Sequence, residues 1–172
     1  TEVYVVKMAG AAAIYTLSCP AAFPILGGPG ALGMQGYREA LEGAGIPCDD
    51  EIVGYTTLWH RANGADSMRE LLARGSRFDA VFGLNDTLAL GAMRVLQEAG
   101  RRVPDDVAVI GFDGLDEAKY SIPSLTTVDP GRAWIARTAV ATLLERISGP
   151  PDPEPPTMFA DFRILNRESA PA

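Results

Sequence analysis

The chain is expected to fold as an α/β domain in which a parallel sheet is covered by helices on both faces. Two observations predict this. Short apolar runs alternate with helical patterns along the chain, and the runs DAVFGL (Asp79 to Leu84) and VAVIGF (Val107 to Phe112) are continuously apolar rather than apolar at every second position. A strand that is apolar on both sides must be buried on both sides, and parallel strands joined by right-handed helical crossovers achieve that. At 172 residues, 47% of them hydrophobic and 22% charged, the chain is long enough to bury a full core.

Each element has its own warrant. Ala22 to Leu26 is an apolar run ending at Gly27-Gly28-Pro29, a strand followed by a turn. Gln35 to Ala44 sets Tyr37, Ala40, Leu41 and Ala44 on one helical face, and Gly45 stops it. Glu51 to Tyr55 is a short strand. Gly64 to Arg74 carries Ala65, Met68, Leu71 and Leu72 at helical spacing, with Gly75 just beyond. Asp79 to Leu84 is a buried strand that ends at Asn85-Asp86, and Asp86 is placed to cap a helix from Thr87 to Ala99. That helix turns Leu88, Ala92, Val95, Leu96 and Ala99 inward, and Gly100 ends it. Val107 to Phe112 is a second buried strand, closed by Asp113-Gly114.

Leu125 to Val128 reads as an extended connector rather than a core strand. Trp134 to Ile147 is a helix with Ala136, Val140, Leu143, Leu144 and Ile147 as its apolar face. Gly149 to Pro156 holds five of the 13 prolines and is an exposed linker, after which Met158 to Leu165 forms a last strand. The sequence contains no internal repeat.

Charge and cysteine usage exclude several classes. The formal net charge is −7 and the 15 Lys and Arg are scattered, so the chain is a poor match for DNA phosphates. Cys19 and Cys48 lack disulfide-framework or metal spacing and read as small buried hydrophobes in a reducing cytoplasm. No secretory signal opens the sequence. Met8 to Tyr37 carries no charged side chain, yet Pro20, Pro24, Pro29 and six glycines between Gly10 and Gly36 break it into pieces too short to span a bilayer. There is no nucleophile elbow, Walker-type phosphate loop or dinucleotide fingerprint, so an enzyme is not expected and no cofactor or metal is implied. Asp86 and Asp113 as an acid–base pair lack a third catalytic partner.

In parallel α/β sheets ligands bind beyond the carboxyl ends of the strands. The residues to examine are therefore Asn85, Asp86, Thr87 and Asp113. Asp113, with two acceptor oxygens, is either a ligand contact or a cap on the next segment. Asn85 offers a donor and an acceptor to a polyol, whereas Asp86 fits the helix cap better.

The stretch FDAVFGLNDTLALGAMRVLQEAGRRVPDDVAVIGFDG (Phe78 to Gly114) resembles the second lobe of lactose-repressor (LacI/GalR) type regulators. So do IPSLTTV (Ile122 to Val128), FRILNRESA (Phe162 to Ala170), GGP (Gly27 to Pro29) and GYREAL (Gly36 to Leu41), in that family's order. The resemblance covers roughly residues 21 to 170. It implies a type I periplasmic-binding-protein-like fold, with the second lobe largely complete and the first partial. Residues 1–20 would be the tail of the N-terminal lobe and 21–128 the C-terminal lobe. Residues 129–149 would return to the N-terminal lobe, with 150–156 a linker and 157–172 the terminal strand and tail.

The resemblance further implies a cytoplasmic homodimeric regulator. Its small effector, a sugar or nucleoside-like molecule, would lie between the lobes, and operator DNA would be held by a helix-turn-helix outside this sequence. A solute-binding protein of a sugar uptake system shares the fold and is the alternative. The resemblance implies effector contacts at Asp113, Asn85 and Asp86, and an aromatic against the sugar ring at Trp59, which as a loop residue reads equally as a half-exposed Trp. His60 reads as a loop residue. Where many members place an effector-gripping arginine this chain has Gly33, and the segment from Gly30 to Gln35 is short, as if a loop were missing there.

Overall fold

The computed structural model describes residues 2–6, 29–56, 58–149 and 158–171. The chain runs through strand β1 (Glu2–Val6), helix α1 (Pro29–Gly43), a 3-10 turn (Asp50–Ile52), β2 (Val53–Tyr55), α2 (Arg61–Ala73), β3 (Ala80–Gly83), α3 (Asp86–Glu98), β4 (Ala108–Phe112), a short α4 (Glu117–Tyr120), β5 (Thr126–Asp129), α5 (Arg132–Ser148) and β6 (Arg163–Leu165). The strands form one sheet in the order β2-β1-β3-β4-β5-β6.

The sheet is mixed, not purely parallel. β3, β4 and β5 run parallel, while β1 is antiparallel to both its neighbours and β6 is antiparallel to β5. The polarity of β2 follows: opposed to β1, it points the same way as β3. The carboxyl ends of β2, β3, β4 and β5 therefore lie along one edge. Residues 1–20 were expected with another lobe; of these, Glu2–Val6 lies in this sheet between β2 and β3. The strand expected at Ala22 to Leu26 lies outside the described residues.

α3 packs hardest, on a face of the sheet made to receive it. The register brings Val81 beside Val109, and Gly111 beside Thr127. A Cβ at Gly83 would meet the backbone of Ala89, and one at Gly111 would run into Oδ1 of Asp86, so the absence of side chains lets the helix approach. Leu88, Ala92, Val95 and Leu96 are buried as expected, whereas Ala99 is exposed at the helix end. α2 crosses α3 with Met68 and Leu71 buried, and Gly64 and Gly91 are the close-approach points. α1 adds Met34, Tyr37 and Leu41 to the same core.

The structure corrects other readings. Leu125 to Val128 contributes a strand in the sheet, not a connector; Thr126 and Thr127 are buried because their hydroxyls find partners, as described below. The cap of α3 is Asn85, whose side chain accepts from the Leu88 N–H at 2.8 Å, and Asp86 is the first helical residue. Cys48 is exposed rather than a buried hydrophobe, while Cys19 lies outside the described residues. Of Met158 to Leu165, only Arg163–Leu165 is strand. Gly30 to Gln35 lies within helix α1, and a Cβ at Gly33 would press on the Leu84 side chain.

α5 is the outlier. It forms over the residues its pattern predicts, yet none of its residues is buried. Val140, Leu143, Leu144 and Ile147 all face outward, as do Met158, Phe159 and Phe162.

Candidate functional site

Because β2 to β5 share a polarity apart from the intervening β1, the loops leaving their carboxyl ends converge on one edge. Trp59 and His60 follow β2, Asn85 and Asp86 follow β3, Asp113 follows β4, and Arg132 follows β5. This is where an open α/β sheet holds a ligand.

The turn after β4 is built with unusual care. Asp113 has φ +115°, the left-handed side that a residue with a Cβ avoids, and is the sole such non-glycine among the described residues. Three successive backbone N–H groups are tied down around it. Asp113 N–H donates to the Val128 carbonyl at 2.9 Å, Gly114 N–H to the Thr127 hydroxyl at 3.2 Å, and Leu115 N–H to Oδ2 of Asp86 at 2.6 Å. The Thr127 hydroxyl donates in turn to Oδ1 of Asp86 at 2.5 Å. Gly114, at φ +66°, takes the second left-handed position, and its carbonyl accepts from Nη2 of Arg132 at 2.6 Å. A strained residue persists when its surroundings over-determine it. Here they do.

The four predicted site residues therefore do different things. Asp86 is fully buried and both carboxylate oxygens are used internally, on Thr127 and on Leu115. Asn85 is buried too: its Oδ1 caps α3 and its Nδ2 donates to the Trp59 carbonyl at 3.2 Å. The Thr87 hydroxyl also donates to the Trp59 carbonyl. Those bonds fix the loop that carries Trp59, whose ring is half-buried against the core. His60 is exposed at the start of α2 and makes no capping bond. Asp113 differs from all of these, since no described side chain pairs with its half-buried carboxylate.

Electrostatics mark the same residue. Burial, reinforced by the neighbouring Asp86 charge and opposed by Arg132, pushes the Asp113 carboxyl up from 3.8 to about 6. Burial also raises Asp86, against the bonds from Thr127 and Leu115 and the charges of Arg167 and Arg132. Around the rim, Arg61 pairs with Glu117 at 3.4 Å, Lys119 with Asp116 at 2.7 Å and Arg163 with Asp129 at 2.9 Å. Among the described residues no group of His, Cys, Asp and Glu could hold a metal ion. What the site offers is a carboxylate acceptor on a clamped turn at the carboxyl end of β4, with the Arg132 guanidinium held beside the next residue. That is the chemistry for hydroxyl groups.

Sequence reasoning missed Thr127 and Arg132. Thr127 sits in a run that read as a connector, and its value depends on Asp86, 41 residues away. Arg132 lies just ahead of the helix expected from Trp134, and its place soon after β5 was a usable signal.

The sequence matches the family described as periplasmic binding protein-like domain over residues 28–170. It is 40% identical to the HTH-type transcriptional regulator CelR of Thermobifida fusca over 136 residues, 79% of this chain and 39% of that protein. The chain thus spans about two-fifths of that relative's length. A putative transcriptional regulator of the LacI family from Sanguibacter keddieii superposes with a TM-score of 0.78 and 50% identity, over 81% of this chain and 52% of that one. A complex of the regulator CelR with cellobiose superposes with a TM-score of 0.76 and 39% identity, over 81% of this chain and 42% of that one.

Proposed function

Because this chain belongs to the periplasmic binding protein-like domain family, in the form carried by LacI-type transcriptional regulators, we propose that it is the effector-sensing part of such a regulator. Its effector is a neutral sugar, bound at the carboxyl edge of the sheet with Asp113 as principal acceptor. The observation that carries this is the strained, clamped and internally unpaired carboxylate of Asp113. A protein keeps such a residue where its side chain is needed in one direction. A sugar hydroxyl donating to it gains a charge-assisted bond in a half-desolvated place. The half-buried Trp59 ring borders the same edge and suits the apolar face of a pyranose.

The rest of the mechanism belongs to residues beyond this chain. The bare face of α5, with Leu143, Leu144 and Ile147, is the seat of the first lobe, and closure of that lobe over the sugar sets the angle between the DNA heads of a homodimer. Operator DNA is held by a helix-turn-helix outside this sequence, since the net charge of −7 here repels phosphates. Among the described residues no helix is long and apolar enough to cross a membrane. A regulator working in the cytoplasm, without catalysis, fits these features.

Calorimetry against a panel of neutral mono- and disaccharides, cellobiose included, tests the reading. Asp113→Ala is expected to weaken the tightest sugar about 100-fold, near 2.7 kcal/mol. Unchanged affinity in that variant would remove Asp113 from the site.

A further inference from the structure

We infer that Arg132 is a second contact of this site, a specificity-determining donor to the sugar hydroxyl adjacent to the one that Asp113 accepts. The inference rests on the reading of Asp113 given above. Arg132 is the first residue of α5 and so enters the edge from the end of β5, the strand next to β4. Its Nη2 donates to the Gly114 carbonyl at 2.6 Å, which holds the guanidinium beside the residue that follows Asp113.

A guanidinium carries five N–H donors in a fixed plane, and this bond occupies one of them. Of the other cations here, Arg61 pairs with Glu117, Lys119 with Asp116 and Arg163 with Asp129, while Arg167 is turned to the Leu125 carbonyl at 2.5 Å. Arg132 forms no ion pair with a carboxylate among the described residues. Its charge nevertheless reaches both Asp113 and Asp86 and favours their ionised forms. The cation is therefore near Asp113 but not closed onto it.

An acceptor at the end of β4 and a donor tethered to the next residue suit a vicinal diol. One hydroxyl donates to the carboxylate, and its neighbour accepts from the guanidinium. Two carboxylates, Asp113 and Asp86, face two cations, Arg132 and Arg167, so the place has no net positive charge to draw an anion and a neutral polyol fits it. The competing role for Arg132 is to anchor the first turn of α5 to Gly114, with no ligand involved.

The test compares the full chain with its D113A, R132Q and R132K variants, by calorimetry on the same panel of neutral sugars and then on monodeoxy analogues of the tightest one. R132Q is expected to weaken that sugar about tenfold and R132K by less, and one monodeoxy analogue should bind wild type and R132Q alike. The melting temperature of R132Q should stay within about 2 °C of wild type, because the side chain is exposed. Wild-type affinity in R132Q beside a weakened D113A overturns the Arg132 contact and leaves Asp113 in place. So does a uniform loss over all analogues with a lowered melting temperature, which identifies an anchor. An unaffected D113A, or a wild-type chain that binds no neutral sugar in the panel, brings down the reading of Asp113 and the Arg132 contact with it.

Discussion

Asp113 combines two costs in one residue: a backbone in the left-handed half of conformational space, and a carboxylate that burial and Asp86 hold up at about 6. Both costs are measurable. The folded state favours the neutral acid relative to an unfolded value of 3.8, so the stability this group contributes is complete below about pH 4 and is lost as pH rises through about 6. Asp113→Asn removes that dependence. At pH 8 it should be more stable than wild type by roughly 2 kcal/mol, a difference that shrinks toward zero near pH 4 in denaturant melts. Asp113→Gly relieves the backbone as well and should gain about 1 kcal/mol more, while losing the sugar. A glycine variant no more stable than the asparagine one would show that the conformation at residue 113 carries no strain. Sugar affinity in the wild type should fall as pH drops from 7 to 5, because the ionised form is the acceptor.

The junction of α3 with β4 and β5 is what places that residue. Gly111 lets Asp86 reach Thr127 and Leu115, and those bonds clamp the turn. Gly111→Ala forces its new methyl against the Asp86 carboxylate. It should cost about 2–3 kcal/mol and weaken sugar binding, although residue 111 touches no ligand. Ordinary stability in that variant would mean that Asp86 has room to shift without consequence. The same junction marks the limit of what the residues alone revealed. α2, α3 and α5 were legible to within a few positions, because amphipathic period and a terminal glycine are local signals. β3 and β4 were legible as continuous apolar runs. β5 was not, because Thr126 and Thr127 look polar until their distant partners Ala170 and Asp86 are known. For the same reason the cap expected of Asp86 falls to Asn85, and the buried Asp86 carboxylate works on a turn 29 residues away.

In the molecule as a whole the weight of packing lies on one side. α1, α2, α3 and the sheet share one core, whereas α5 leaves Val140, Leu143, Leu144 and Ile147 exposed, as are Phe159 and Phe162. Four apolar residues at helical spacing on one exposed face of α5 form an interaction surface. If another lobe covers it, α5 adds little to the stability of this part by itself. Replacing Leu143 and Ile147 together by glutamate should leave the melting temperature of the chain within about 2 °C and reduce its self-association in sedimentation. A collapse of the fold would show that α5 is part of the core after all. Everything proposed for regulation depends on whether the carboxyl edge of the sheet holds the sugar through Asp113. The most direct measurement is the carboxyl carbon resonance of Asp113, titrated by NMR with and without the tightest-binding neutral sugar. The midpoint should lie near 6 in the free chain and fall by about one unit or more when the sugar is bound, since a hydroxyl donor favours the ionised form. A midpoint that does not move on saturation would contradict the assignment of Asp113 to the effector.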